Sequence, residues 1–259
     1  MKKTVLVKGI KFSYISVGEG TPCIMVHGNR DCKENFEEMA NWLSKSIGGK
    51  YIMIDLRGHG ESGRPLTGYN IPNMADDIIK IIEALGFEKI NYIGHSLGST
   101  IGIYLAAQYP DLISNLVLMS AAASFKIGFK RPEFSREGFR MQLLETNKRA
   151  AKYFFQDKYG EIQKRITDNW LKIDYDVHMQ MIKLQHPNLN DEAQSIMCKT
   201  LLLYGTNDLS TTVEDGKLLN NLIKNSSLKI IDGGAHYMYL EIPEITNECI
   251  GEFLNEKAV

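Results

Sequence analysis

The stretch Asn91-Tyr92-Ile93-Gly94-His95-Ser96-Leu97-Gly98-Ser99-Thr100 limits the fold of this chain more than any other. The apolar run at Ile90, Tyr92 and Ile93 reads as the end of a buried strand. Leu97, Ile101, Tyr104 and Leu105 share one face of a following helix that ends before Pro110. The turn between them is G-x-S-x-G, which holds its serine at strained backbone angles with the hydroxyl raised above the sheet edge. Glycine is required at 94 and 98, because side chains there would keep strand and helix from approaching closely enough. The five residues alone specify little; the strand before and the helix after give them meaning.

Taken in order, Val5 to Val7 and Phe12 to Val17 alternate with period two and are predicted to form an antiparallel hairpin. Cys23 to Val26 is a continuous apolar run, expected of a strand covered on both faces, and it stops at His27-Gly28-Asn29-Arg30-Asp31. Phe36, Met39, Ala40 and Leu43 have helical spacing. Tyr51 to Leu56 is another buried strand, running into Asp55-Leu56-Arg57-Gly58-His59-Gly60-Glu61-Ser62-Gly63. A helix is predicted over Met74 to Leu85, capped by Asn73, with Asp76 and Asp77 at its positive end and Gly86 as its stop. Later strands are expected at Leu116 to Met119, Thr200 to Tyr204 and Leu228 to Ile231, with helices near Glu214 to Leu222 and Pro243 to Leu254. From Ser124 to Asn190 no strand-like run occurs, and aromatic residues recur at helical spacing, among them Phe125, Phe129, Tyr153, Phe154, Tyr159, Trp170 and Tyr175. Alternation on both sides of a helical insert implies an α/β fold. The expected form is a mostly parallel twisted sheet with helices on both faces, its core at 1–123 and 191–259 and a helical cap at 124–190.

Composition narrows the function classes. A length of 259 residues buries a core without disulfides or metal. Acidic and basic residues nearly cancel, 31 against 30, with no run of like charge, so neither nucleic acid nor an anionic membrane is an expected partner. The expected partner is a small-molecule substrate. Cys23, Cys32, Cys198 and Cys249 are far apart and form no C-x-x-C, which argues against zinc or a redox pair and fits a reducing compartment. The amino terminus lacks a secretory apolar segment, and no run approaches the roughly 20 apolar residues of a membrane helix. A cytoplasmic location is the expectation.

A serine hydroxyl is a poor nucleophile at neutral pH and needs a base within hydrogen-bond reach, itself oriented by a third group. In parallel sheets such groups gather at the carboxyl ends of strands. Leu203-Tyr204-Gly205-Thr206-Asn207-Asp208 places an acid just past one strand, and Ile231-Asp232-Gly233-Gly234-Ala235-His236 places a histidine just past the next. Asp208 competes with Asp215 and Asp232 for the role of acid, and its position after the strand favours it. Of the other histidines, His27 and His59 lie in loops before the serine, His95 adjoins it, and His178 and His186 lie in the insert.

Four blocks now stand together: His27-Gly28-Asn29, Asp55-Leu56-Arg57-Gly58-His59-Gly60-Glu61-Ser62, Gly94-His95-Ser96-Leu97-Gly98 and Gly234-Ala235-His236. With the chain order Ser, Asp, His, the sequence resembles the α/β-hydrolase superfamily in its capped, serine-esterase-like branch, over nearly all of the chain outside the insert. The resemblance implies Ser96 as nucleophile, His236 as general base and later acid, and Asp208 as the group that holds the imidazole. It also implies an oxyanion hole made by the backbone N–H groups of Asn29 and Leu97, with no cofactor and no metal. It makes His27, Asp55, Arg57 and His59 structural, tying loops together below the site. The implied reaction is hydrolysis of a small carboxylic ester, with thioester and lactone as near variants. Relatives with aspartate at the nucleophile position open epoxides or remove halogen, which Ser96 disfavours. A carbon–carbon bond hydrolase with the same triad and a low-turnover ligand-binding or signalling protein are the alternatives. Two departures from the family pattern stand out: Ser99 where a third glycine is common, and Arg30-Asp31 where a proline is common, which puts charge beside the entrance.

Overall fold

The computed structural model describes residues 2–124, 134–156, 160–182 and 188–256. Its strands are β1 (Lys2–Val7), β2 (Ile10–Glu19), β3 (Pro22–Val26), β4 (Gly49–Ile54), β5 (Ile90–His95), β6 (Ile113–Met119), β7 (Lys199–Gly205) and β8 (Ser226–Ile231). They form one sheet in the order β1-β2-β4-β3-β5-β6-β7-β8. The pairs β1–β2 and β2–β4 are antiparallel, and every other pair is parallel. The expected opening hairpin and mostly parallel sheet are both present.

Residues that alternate along a strand enter different cores. On β5, Tyr92 joins the core on one face of the sheet and Ile93 the core on the other. The Tyr92 side is covered by α2 (Ile71–Ala84) and α3 (Leu97–Gln108), which bring in Ile78 and Ile101. On the Ile93 side lie α1 (Glu37–Ile47), a four-residue α9 (Met238–Glu241) and α10 (Pro243–Asn255), supplying Leu43, Met238 and Ile250. Burial on both faces explains why the central strands read as unbroken apolar runs.

The start of α2 differs from the sequence expectation. The helix begins at Ile71, and its cap is Asn70, whose side chain accepts the backbone N–H of Asn73 at 2.9 Å. Pro72 falls in the first turn, where a missing N–H costs nothing. Asp77 therefore lies well inside the helix, where it is buried and takes both Arg57 Nε at 2.5 Å and Arg57 Nη2 at 2.6 Å. The stop at Gly86 is as expected, with φ at +76°.

Between β6 and β7 run α4 (Phe139–Phe154), α5 (Gly160–Trp170), α6 (Tyr175–Ile182) and α7 (Asn190–Ser195); α8 (Val213–Leu222) follows β7. Phe125, Phe129, Tyr159 and His186 lie outside the described residues. Phe139, Phe155 and Trp170 are buried in the same two cores as the sheet, whereas Tyr153 is half exposed. No helix among the described residues is long and apolar enough to cross a membrane.

Candidate active site

The turn between β5 and α3 has the strained form that its sequence requires. Ser96 sits at φ 51° and ψ −112°, and its side chain does not cap the helix that it precedes. A serine recruited only to start a helix would turn its hydroxyl to the first amides; here that oxygen is left available. A β-carbon added to Gly94 would fall 2.6 Å from the carbonyl of Gly98, and one added to Gly98 would collide with the carbonyl oxygen of Val26. Backbone atoms cannot step aside. Gly98→Ala is therefore expected to destabilise the fold by about 3 kcal/mol, measured as a lower urea midpoint at unchanged slope. An unaltered midpoint would show that the strand and helix tolerate separation. Ser99, in place of a third glycine, is fully buried and donates its hydroxyl to Met119 O at 2.9 Å, anchoring α3 to the end of β6.

Past β7 and β8 the chain brings Asp208 and His236 together. His236 Nδ1 donates to Asp208 Oδ2 at 2.8 Å, and both side chains are buried. The remaining lone pairs of that carboxylate are also occupied. Oδ1 accepts the amides of Ser210 at 2.8 Å and Thr211 at 3.0 Å, and Oδ2 accepts the Thr211 hydroxyl at 2.7 Å. Burial alone would raise the Asp208 pKa, but His236 and the Thr211 bonds outweigh it and hold the carboxyl down at about 2. Asp208 is thus anionic at neutral pH and can only accept. It fixes the proton of a neutral His236 on Nδ1 and leaves Nε2 as the basic nitrogen.

The rival acids are used elsewhere. Asp215 closes a capping box with Thr212 at the start of α8, and Asp232 is exposed and accepts from Thr206 at 3.3 Å. The serine is close by. His95, its neighbour, points Nε2 at His236 O, 2.9 Å away, with ring centroids 4.9 Å apart. The Ser96 hydroxyl itself makes no hydrogen bond to His236 among those of the described residues; such bonds are often loose without substrate and tighten when it arrives. The amides of Asn29 and Leu97 donate to no other group among the described residues. Leu97 is the first residue of α3, where N–H groups have no helical partner. Gly28, just before Asn29, lies against the serine: a β-carbon there would be 3.3 Å from Ser96 Cβ.

Three further residues hold Asp208 and His236; Phe154 stood among the aromatics of the insert, and the other two left no clear trace in the sequence. Thr211 braces Asp208, while Phe154 at the end of α4 sets its ring 4.8 Å from that of His236 and accepts the His236 amide on its carbonyl at 3.2 Å. Ser120, at φ +49°, donates its hydroxyl to His236 O at 3.2 Å. Only Thr211, three residues after its acid, is at a spacing that a local turn pattern announces.

The loops below the serine are cross-tied. His27 Nδ1 donates to Gly28 O at 2.7 Å, and its Nε2 accepts the Leu56 amide at 3.2 Å. Asp55 holds the buried Lys33 ammonium at 2.7 Å and the Glu61 amide at 2.9 Å. His59 Nδ1 donates to Arg57 O at 2.8 Å.

Arg30 and Asp31, the unusual pair after Asn29, part company. Asp31 turns inward, accepting from the Cys32 amide at 2.8 Å, from Asn35 and from the Tyr239 hydroxyl at 3.4 Å, and burial pushes its carboxyl up to about 7. Arg30, with φ at +60°, lays its guanidinium over the Trp170 ring at 4.7 Å and donates to Asn147 Oδ1 at 2.7 Å. A cavity of about 440 Å³ opens beside it, with Cys32, His59, Arg165, Asn169 and Lys172 also in its wall.

A serine turn at the end of a central parallel strand, with an acid and a histidine past the later strands, defines a class. This chain belongs to the alpha/beta hydrolase fold family, whose model matches residues 21–243. Among curated proteins it is 31% identical to the AB hydrolase superfamily protein YisY of Bacillus subtilis, over 92% of this chain and 93% of that one. It is 26% identical to 3-oxoadipate enol-lactonase 2 of Acinetobacter baylyi, over 96% and 95% of the two chains. Among solved structures, the esterase EaEST from Exiguobacterium antarcticum superposes with a TM-score of 0.84 at 24% identity, covering 99% of this chain and 100% of that chain.

Proposed function

We propose that this protein is a cofactor-independent serine hydrolase of small carboxylic esters, thioesters or lactones, working through an acyl-enzyme on Ser96 inside the cell. The observation that carries this reading is the Asp208–His236 pair, locked at 2.8 Å, with the serine held in a strained turn beside it. His236 Nε2 takes the Ser96 proton as the oxygen attacks the substrate carbonyl. The negative charge that develops on the carbonyl oxygen is received by the amides of Asn29 and Leu97. Collapse expels the alcohol, which takes the proton from His236. Water, activated by the same imidazole, then attacks the acyl-enzyme, and the acid leaves with the serine regenerated. The helices between β6 and β7 act as a cap that sets the acyl pocket, with Phe154 closing over His236.

The test is labelling with a fluorophosphonate, which reacts only with an activated serine, on wild type beside Ser96→Ala. Covalent labelling of wild type alone is expected, together with turnover of nitrophenyl esters that peaks at one acyl length. A folded wild type that takes no label would remove the acyl-enzyme reading.

Asp208→Asn provides a second check. An asparagine can present its amide N–H to Nδ1 and stabilise the wrong tautomer, so kcat is expected to fall about 10³- to 10⁴-fold while the fold survives. Steady-state kinetics with the best nitrophenyl ester would settle it, and a loss smaller than tenfold would take Asp208 out of the mechanism.

A further inference from the structure

Near the candidate site, among the described residues, a guanidinium lacks a carboxylate and a buried amide lacks an acceptor. The Arg30 guanidinium is held by Asn147 Oδ1 at 2.7 Å and by the Trp170 face, and among the described residues no carboxylate lies within ion-pairing reach. Asn147 is only 1% exposed, and its Nδ2 has no acceptor among the described residues. Its orientation is forced, because only the amide oxygen can receive an arginine N–H. The site therefore holds a fixed cation and a buried amide N–H₂, and both can only donate. Burial lowers the Arg30 pKa to about 10, so it keeps its charge at neutral pH, with no carboxylate paired to it among the described residues. Asp31, next in the chain, spends its oxygens on Cys32, Asn35 and Tyr239. Leaving a cation and an amide this way is costly unless a ligand completes them.

Position ties the two donors to the serine. Arg30 is two residues past Gly28, which abuts Ser96, and one past Asn29. Asn147 and Phe154 are seven residues apart on α4, two helical turns, and so share the face whose far end covers His236. In the wall of the adjoining cavity the cations Lys2, Arg64, Arg165 and Lys172 outnumber the carboxylates Glu34 and Glu61.

We infer that Arg30 and Asn147 form a carboxylate-binding subsite and that the substrate is an ester or lactone carrying a free carboxylate away from the scissile bond. The inference rests on the serine-hydrolase reading for its chemistry, while the subsite itself is tested by binding alone. A planar carboxylate matches the guanidinium fork with one oxygen and leaves the other for the asparagine amide. The Trp170 ring and Asn147 Oδ1 keep that fork from swinging away.

Two measurements test this. First, kcat/KM is compared between the nitrophenyl half-ester of glutaric acid and nitrophenyl pentanoate, which matches it in acyl length and lacks the charge. The half-ester is expected to be preferred, and Arg30→Gln to cut the preference ratio about tenfold or more, chiefly through the KM of the charged ester. Arg30→Lys should retain part of it. Asn147→Asp is the sharper variant, because it keeps the Arg30 clamp and fills the subsite with an internal carboxylate; the preference should collapse in a stable protein. Second, calorimetry with glutarate on Ser96→Ala should show binding that disappears in the double variant with Arg30→Gln.

If Arg30→Gln lowers both esters equally, or if Asn147→Asp keeps the charge preference, Arg30 is only a clamp between core and helices and the subsite is overturned. Absence of glutarate binding to Ser96→Ala overturns it as well. Glutarate binding that depends on Arg30, in a protein that hydrolyses neither ester, would uphold the subsite and refute the esterase chemistry instead.

Discussion

Ser96→Ala is expected to lower kcat by about 10⁴-fold or more, with KM changed little, because under the proposed mechanism the substitution removes the nucleophilic oxygen and few binding contacts. The fold should persist. The φ of 51° at Ser96 is imposed by the close approach of Gly94 to Gly98, which an alanine at 96 leaves in place. What should remain in the variant is the contribution of the proposed oxyanion hole at the Asn29 and Leu97 amides, which would still polarise a carbonyl toward attack by water. Single-turnover kinetics with a nitrophenyl ester separates the cases: wild type should release a burst of nitrophenol before the steady rate, and the variant none. A variant that retained a tenth of the activity would mean that the ester is cleaved without the serine.

Acid should unfold this protein earlier than its carboxylates would suggest. His27, His59 and His95 are buried, and burial is the main reason their pKa values fall to about 4, 3 and 3; the neighbouring His27 and His236 lower those of His59 and His95 further. A histidine in the unfolded chain titrates near 6.5. Below that pH the unfolded chain binds three protons that the folded protein refuses, so stability present above 6.5 is lost as pH falls toward 4. Between pH 6.5 and 5 each histidine contributes a loss of about 2 kcal/mol. Asp31 acts in the opposite sense. Its carboxyl, raised to about 7, is protonated more readily in the fold, which returns part of the loss between pH 7 and 4. Asp55 and Asp77, whose carboxyls burial also raises, act in the same sense as Asp31, but the three imidazoles carry the larger change and leave a net fall. The urea midpoint is expected to drop clearly between pH 7.5 and 5.0, and a midpoint that held steady would mean that the three imidazoles can charge without unfolding.

The parts of this molecule that the sequence discloses are those that depend on near neighbours. Gly94, Ser96 and Gly98 are legible because one tight turn needs all three, and the central strands because burial on both faces leaves them apolar throughout. The start of α2 was displaced because Asn70 and Asn73 are both good caps, and only the backbone decides that Asn73 donates its amide to Asn70. Its position just past a strand already favours Asp208 over Asp215 and Asp232 in the sequence, whereas the box that Asp215 closes with Thr212 and the 2.8 Å contact between Asp208 and His236 are seen only in the fold. Phe154 stood out only as one of many aromatics in the insert, and Asn147 had no local signature. Their partners, His236 and Arg30, are 82 and 117 residues away in sequence, and packing alone brings them together.

The order of the strands has one more consequence. Among the described residues the sheet is open, and β1 and β8 are its edge strands, whose outer backbone groups are the usual template for two copies to join side by side. Both borders carry exposed lysine, Lys3 on β1 and Lys229 on β8, whereas Lys2 is paired with Glu34 and Glu61. Joining like borders of two molecules would bring these ammonium groups together. Such repulsion is expected to disfavour edge-to-edge association of two copies.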